Sequence, residues 1–216
     1  MLASSKELVG NIVSSGSVNG HNTTKLKYAR LADITTKELS PFVLVDTWGV
    51  DSSNYSQAKF NDLLKGNLPQ DYQMSSTYKF TSNTSTPEPQ NRKIHCAIFF
   101  VTIGDLNANS KYLGYVKEYA EYASRNSVSP LYCITKVDED EAYANCRNSF
   151  PNFAPLLAKA AVTFNTQENH IFPLVNYKSE TGKSKYVECY VYDLLVKACR
   201  CASTNPDFLP ELFADF

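Results

Sequence analysis

The segment Thr135-Lys136-Val137-Asp138 directly follows the apolar run LYCI and offers the clearest binding chemistry in the chain. An aspartate fixed by a buried strand can accept two parallel hydrogen bonds, from the N1–H and the amino group of guanine, and adenine lacks that pair of donors. The stem of Lys136 can cover one face of the base. However, Asp138 also opens a run of carboxylates that ends at Glu141, and such runs are usually solvated surface. A guanine reader and a charged turn both remain open.

A second candidate, Asp46-Thr47-Trp48-Gly49, follows the apolar run of residues 42–45. Open α/β sheets place ligand contacts at the carboxyl ends of their strands, and carboxylate oxygens suit Mg²⁺. Gly49 would let a backbone N–H approach a phosphate closely. Taken alone, Asp-x-x-Gly at a strand end is more often a plain turn, so this segment gains weight only beside the first.

Apolar runs and helical spacings alternate along the chain, and they predict the elements that position both segments. Predicted strands cover residues 24–31, 42–45, 94–103, 131–135 and 170–175. Predicted helices cover residues 5–14 (with a strand as the alternative), 56–65, 110–125, 153–163 and 185–202. This alternation predicts a parallel sheet covered by helices on both faces.

Three details refine that prediction. Residues 42–45 are expected to form a strand buried on both faces, and the longer run at 94–103 a central strand. Pro173 indicates an edge position or a bulge for the strand at 170–175. Residues 66–92 are polar and rich in Ser, Thr and Pro, which predicts a functional or mobile loop.

Composition limits the class of protein. The chain has 216 residues, 43% of them hydrophobic, and a net charge of -1, which predicts one globular domain. That charge argues against a nucleic-acid partner held mainly by phosphate contacts. The start MLASSKELVG lacks the pattern of a signal peptide, and apolar runs of membrane-spanning length are absent. The six cysteines form no C-x-x-C pair. We therefore expect a cytoplasmic protein with reduced thiols and no membrane span.

The two candidate segments have the forms [NT]-K-x-D and D-x-x-G, in the order of the second half of a P-loop GTPase. Around them, five stretches resemble successive landmarks of the interferon-induced protein 44 family: FVLVDTWGV, DLLKGNLPQDYQM, IHCAIFFV, ITKVD and FPLVNYKSE. The resemblance runs from about Ser17 to Arg200. DLLKGNLPQDYQM, at residues 62–74, is its most specific part, because generic GTPases do not carry it.

The resemblance implies a three-layer, doubly wound, mostly parallel sheet of the P-loop GTPase type over residues 1–202, with a C-terminal tail at 203–216. It also implies a guanine-nucleotide-binding-fold protein acting as a cytosolic immune-response regulator, with GTP or GDP and Mg²⁺ as ligands. By position, it assigns nucleotide binding to Thr135, Lys136, Asp138, Gly49 and Asn176. It assigns the metal to Asp46 and Thr24.

One family feature is not found. A phosphate-binding loop reads GxxxxGK[ST] after a strand, and residues 1–9 contain no Gly. Val50 follows Gly49 where many GTPases place a water-orienting Gln. We therefore expect an N-terminally incomplete fold that lacks the first strand and the phosphate-binding loop, with weak or lost GTP binding and no catalytic residue. Two alternatives remain: an active GTPase whose loop lies upstream of this sequence, and a pseudo-GTPase scaffold for unidentified protein partners.

Overall fold

The computed structural model describes residues 25–32, 39–47, 49, 56–69, 71–72, 92–176 and 184–208. The described strands are Lys27–Ala32 (β1), Leu39–Asp46 (β2), Cys96–Thr102 (β3), Ser129–Thr135 (β4) and Ile171–Pro173 (β5). The described α-helices are Gln57–Leu64 (α1), Ile103–Ala108 (α2), Lys111–Arg125 (α3), Ala154–Phe164 (α4) and Lys185–Ser203 (α5). The predicted helix at 5–14 lies outside these residues, as does most of the predicted loop at 66–92.

The chain divides into two compact units. Unit 1 comprises Met1–Ile94 and Leu209–Phe216, and unit 2 comprises His95–Phe208. In unit 1, β1 pairs antiparallel with β2, and Lys27 lies opposite Asp46 in the register. Both predicted strands are present. Residues 42–47 are half-buried, so the prediction of a strand buried on both faces is wrong. The antiparallel pairing explains the difference, since antiparallel strands commonly leave one face toward solvent.

The core of unit 1 includes the start of the predicted long loop. Leu26 and Leu68 are fully buried there. The N–H of Leu26 donates to the carbonyl of Tyr72 at 3.0 Å, and the N–H of Asp71 donates to the carbonyl of Leu26 at 2.8 Å. In the segment 62–74, Leu63, Leu68 and Tyr72 are therefore core residues, and Tyr28 of β1 and Val45 of β2 pack against this core.

The described strands of unit 2 form a three-stranded parallel sheet in the order β3-β4-β5. The sequence predicts a central strand at 94–103, but among the described strands the central position belongs to β4. Among the same described strands, β5 lies at the edge, one of the two positions that Pro173 indicates. The mixed α/β class and the parallel pairing of these strands are confirmed.

Helices cover both faces of this sheet. Successive residues of β4 point alternately into two cores, one on each face. Tyr132 and Ile134 pack with α3 and α4, whereas Leu131 and Cys133 pack with α5. The predicted helices at 110–125, 153–163 and 185–202 are all present. None of the described helices combines the length and the apolar character needed to cross a membrane.

The short helix α2 was not predicted. Thr102 caps it, since its hydroxyl accepts a hydrogen bond from the N–H of Asp105 at 3.0 Å. Asn109 ends it in the left-handed conformation with φ of 48°, which Asn tolerates better than most residues. The pattern Thr-x-x-Asp after an apolar strand is a helix-start signal. It could have identified α2 from the sequence.

Candidate functional site

The carboxyl ends of the three parallel strands in unit 2 lie at one edge of the sheet. Thr102, the last residue of β3, is in register with Thr135, the last residue of β4, and Ile134 is in register with Pro173 of β5. The segments that follow these strands therefore start side by side. This edge is where open α/β sheets bind ligands, and it contains every predicted site residue of unit 2.

Asp138 is held close to this edge by the turn after β4. Val137 is fully buried and anchors the 3₁₀ turn Val137–Glu139. The side chain of Asp138 is 11% exposed and pairs with that of Arg147, which is 21% exposed. Arg147 donates from Nε to the carboxylate oxygen Oδ2 at 3.1 Å, and its Nη2 lies 3.0 Å from the same oxygen as an ion-pair contact. The carboxylate that was predicted to read guanine is thus mostly buried and already paired with the guanidinium of Arg147.

Arg147 also joins Asp138 to Asn176. Its Nη2 donates to the backbone carbonyl of Asn176 at 2.7 Å, just beyond the end of β5. The backbone carbonyl of Arg147 accepts a hydrogen bond from the hydroxyl of Ser184, the residue that caps α5. One side chain therefore connects the loops that follow β4 and β5, and brings two predicted site residues together.

The backbone on both sides of Arg147 is fixed by Tyr190 of α5. The Tyr190 hydroxyl lies 3.3 Å from the carbonyl oxygens of Cys146 and Ser149, to which it can donate. Burial raises the pKa of Tyr190 to about 12, so this hydroxyl stays protonated at neutral pH. Burial, and then the nearby Asp138 carboxylate, raises the pKa of the Cys146 thiol. The Arg147 backbone therefore has little freedom, whereas its side chain extends to the sheet edge.

Thr135 and Lys136 are placed differently from Asp138. The Thr135 hydroxyl donates back to the carbonyl of Val101 at 3.3 Å, which ties β4 to β3. Lys136 adopts the left-handed conformation, with φ of 57°. Its ammonium lies 3.7 Å from the Glu139 carboxylate, and its side chain is 54% exposed. The Lys136 stem is therefore accessible, while the Thr135 hydroxyl is engaged within the sheet.

The acidic run that begins at Asp138 is divided by the fold. Glu139 and Glu141 are exposed. Asp140 accepts hydrogen bonds from the Ala142 N–H at 3.0 Å and from the Asn107 amide at 3.1 Å. Two carboxylates thus hold the turn and two face solvent, so a uniformly solvated charged turn does not describe the segment.

A second polar cluster follows β3 at the same edge. The Asp105 carboxylate accepts hydrogen bonds from the Thr102 hydroxyl at 2.6 Å and from the Ser110 hydroxyl at 2.8 Å. Lys159 of α4 donates to the side-chain carbonyl of Asn107 at 2.8 Å, and Asn107 in turn bonds Asp140. These bonds tie α2 and α4 to the turn that carries Asp138, so their role is to position it.

The remaining predicted residues belong to unit 1. Asp46 ends β2 and is half-buried, and Gly49 is exposed. Thr24 lies outside the described residues, so the predicted metal pair is only half described. Among the residues that the structure describes, no group of three or more His, Cys, Asp or Glu side chains could hold a metal ion. Magnesium binding by Asp46 and Thr24 stays a prediction, and no chemical step is assigned to it.

Arg147 is the site residue that sequence reasoning missed. It stands nine positions after Asp138, beyond two 3₁₀ turns at Val137–Glu139 and Glu141–Tyr143. Neither helical nor strand periodicity relates residues at that spacing across turns. The opposite charges of Asp138 and Arg147 are the only signal in the sequence, and they do not specify the pairing.

Comparison of the chain with protein-family models, with curated proteins and with solved structures found no match. The functional interpretation therefore rests on the geometry of the sheet edge and on the sequence motifs.

Proposed function

We propose that unit 2 carries a guanine-reading site of the P-loop GTPase type, with Asp138 as the base-reading carboxylate. The single observation that supports this most is the position of Asp138. Its side chain, 11% exposed, follows the central strand of the described parallel sheet at the carboxyl edge. A desolvated carboxylate discriminates strongly between bases, because a base without the matching donors leaves it unpaired.

The neighbours of Asp138 fit the same role. The carboxylate of Asp138 is within reach of planar N–H donors, since the Nε–H of Arg147 donates to its Oδ2 at 3.1 Å, and the guanine edge presents donors of this kind. The exposed stem of Lys136 is available to cover one face of the base. The Asn176 carbonyl, bridged to Asp138 through Arg147, lies in the adjoining loop. A small planar ligand bound here would contact the segments after β4 and β5.

At the level of the whole chain, we propose a guanine-nucleotide-binding-fold protein of the interferon-induced protein 44 type. Its role would be that of a cytoplasmic regulatory module in the immune response, with weak or lost GTP binding. The ordered match of motifs supports this, and so do Leu68 and Tyr72 of the segment 62–74, which are buried. For unit 1 taken by itself, the resemblance supports Gly49 as a phosphate contact and Asp46 and Thr24 as magnesium ligands.

Titration of the ¹⁵N-labelled chain with GDP, with ADP as the control ligand, tests the site by NMR. We expect saturable amide shifts for the residues after β4 and β5, with Lys136 and Asn176 as the main reporters, and a weaker response to ADP. Equal responses to the two nucleotides, or shifts confined to other surfaces, would contradict a guanine reader at this edge.

A second candidate is a scaffold that binds proteins and no nucleotide, a role that a pseudo-GTPase would have. The ion pair between Asp138 and Arg147 favours it, because the carboxylate is already neutralised by a partner of the same chain. The NMR titration separates the two functions, since a scaffold of this kind predicts no saturable shifts with either nucleotide.

A further inference from the structure

We propose that Arg147 is an internal competitor for the base-reading carboxylate, so that guanine binds only when the Arg147 side chain leaves Asp138. This inference rests on the proposed guanine-reading function and adds a residue that sets the affinity of the site. It follows from the shared geometry of the two donors. Nε and Nη2 of Arg147 lie 3.1 Å and 3.0 Å from one carboxylate oxygen, Oδ2.

A guanidinium and a guanine edge compete for the same acceptor positions. Each presents two roughly parallel N–H donors in a plane. A carboxylate oxygen has about two lone-pair positions. The Nε–H of Arg147 occupies one of those of Oδ2, and Nη2, 3.0 Å away, blocks the approach of a further donor to that oxygen. Guanine needs one donor contact at each oxygen of the carboxylate. The full guanine contact at Asp138 is therefore incompatible with the Arg147 contact.

The contact with Asn176 strengthens the competition. Nη2 of Arg147 lies 2.7 Å from the Asn176 carbonyl oxygen, so the guanidinium is held at both of the loops that border the proposed base site. The backbone carbonyl of Arg147 accepts a hydrogen bond from the Ser184 hydroxyl, and Tyr190 holds the residues on either side of Arg147. Opening the site thus requires movement of one side chain while the loop stays in place.

The size of the effect follows from a population argument. The apparent dissociation constant equals the intrinsic one divided by the fraction of molecules in the open state. An arginine held by charge-assisted bonds to a desolvated carboxylate leaves that fraction small, on the order of one tenth or below. Removing the guanidinium should therefore tighten guanosine binding by about tenfold or more.

The test uses the full chain and displacement of fluorescent N-methylanthraniloyl-GDP by guanosine or adenosine. Arg147→Ala is expected to bind guanosine about tenfold tighter than the wild-type chain, with adenosine unchanged. Arg147→Lys keeps the charge and loses the planar fork, so its affinity should lie between the two and provides the test if Arg147→Ala does not fold. The control is Arg125→Ala, which removes the exposed ion pair with Glu121 on α3 and should change nothing.

Two further results separate the inference from a merely structural role of Arg147. The gain in guanosine affinity should vanish in the double variant Arg147→Ala/Asp138→Asn, because it depends on the freed carboxylate. A loss of affinity for guanosine and adenosine alike, or unchanged guanosine affinity in folded Arg147→Ala and Arg147→Lys, overturns the competitor role.

The failure of the inference and that of the proposed function are distinguishable. If the wild-type chain binds guanosine through Asp138 and the Arg147 variants bind it no more tightly, the competitor role fails and the guanine site stands. If guanosine binds to none of these proteins, or binds all of them equally with and without Asp138, both fail together.

Discussion

The ion pair between Asp138 and Arg147 gives the sharpest prediction for stability. We consider a double-mutant cycle of Asp138→Ala, Arg147→Ala and the double variant. The two side chains are 11% and 21% exposed, and the closest distance is 3.0 Å. Hydrogen bonds to charged groups contribute about 1.5–3 kcal/mol, while exposed ion pairs contribute about 0.2–1 kcal/mol. Because this pair is mostly desolvated, we expect a coupling free energy of about 1.5–2.5 kcal/mol.

Each single substitution should lower the free energy of unfolding by more than the coupling free energy of the pair. Asp138→Ala leaves a largely buried guanidinium uncompensated, and Arg147→Ala leaves the Asp138 carboxylate and also loses the bond to the Asn176 carbonyl. We expect each to lower the free energy of unfolding by about 2–4 kcal/mol. The double variant should cost less than the sum of the two single changes.

Urea unfolding followed by far-UV circular dichroism measures all four proteins, with equal m-values required for the comparison. The pair of Arg125 and Glu121, 68% and 66% exposed and spaced i,i+4 on α3, is the matched control. Its coupling should be about 0.3–0.5 kcal/mol and should fall with added salt. A coupling between Asp138 and Arg147 no larger than this control would refute the desolvated ion pair.

The remaining predictions concern two glycines and the thiols. Gly66→Ala should lower the unfolding free energy by at least about 2 kcal/mol because Gly66 has φ of +76° and an added Cβ would lie 2.6 Å from the carbonyl carbon of Arg92. In Gly114→Ala on α3, the added Cβ would have no neighbour within 4 Å, so this variant should raise the unfolding free energy by about 0.5–1 kcal/mol. Urea titration measures the change in both glycine variants. Iodoacetamide at pH 8 should label exposed Cys189 long before fully buried Cys133, as mass spectrometry would show; similar rates would refute the buried position. Burial raises the pKa of Cys133 from 9.0 to about 12. The contribution of the protonated thiol to the unfolding free energy is therefore fully present below pH 9 and is lost as the pH rises from 9 toward 12. Over this pH range, the urea midpoint should fall less steeply in Cys133→Ala than in the wild type.

Much of unit 2 could be predicted from the sequence because its elements have strong local patterns. The run LYCIT forms β4, whose Leu131 and Ile134 are fully buried. The stripe of α5 is confirmed where it faces the sheet, since Val187, Tyr190 and Leu194 are buried. In these segments, local periodicity and tertiary packing agree, so pattern alone was sufficient.

Two of the misses depend on partners that lie far away in the sequence, and the third on the shortness of a helix. The apolar run of β2 is half-buried because its neighbour is the antiparallel β1. The helix α2 has only 6 residues, too few to show periodicity. The partner of Asp138 is set by how the two 3₁₀ turns and α5 place Arg147, which no repeat in the sequence records.

The base preference of Asp138→Asn tests the central claim most directly. Asparagine replaces one acceptor with a donor, so the amino group of guanine would face an NH₂, while the O2 of xanthine would find a donor. In displacement of N-methylanthraniloyl-GDP, the wild-type chain should prefer guanosine to xanthosine and adenosine. The Asp138→Asn chain should bind guanosine more weakly by at least about 2 kcal/mol, close to thirtyfold in affinity. It should bind xanthosine more tightly than the wild-type chain does. An unchanged order of the three nucleosides would contradict the account and make Thr135–Asp138 a structural turn.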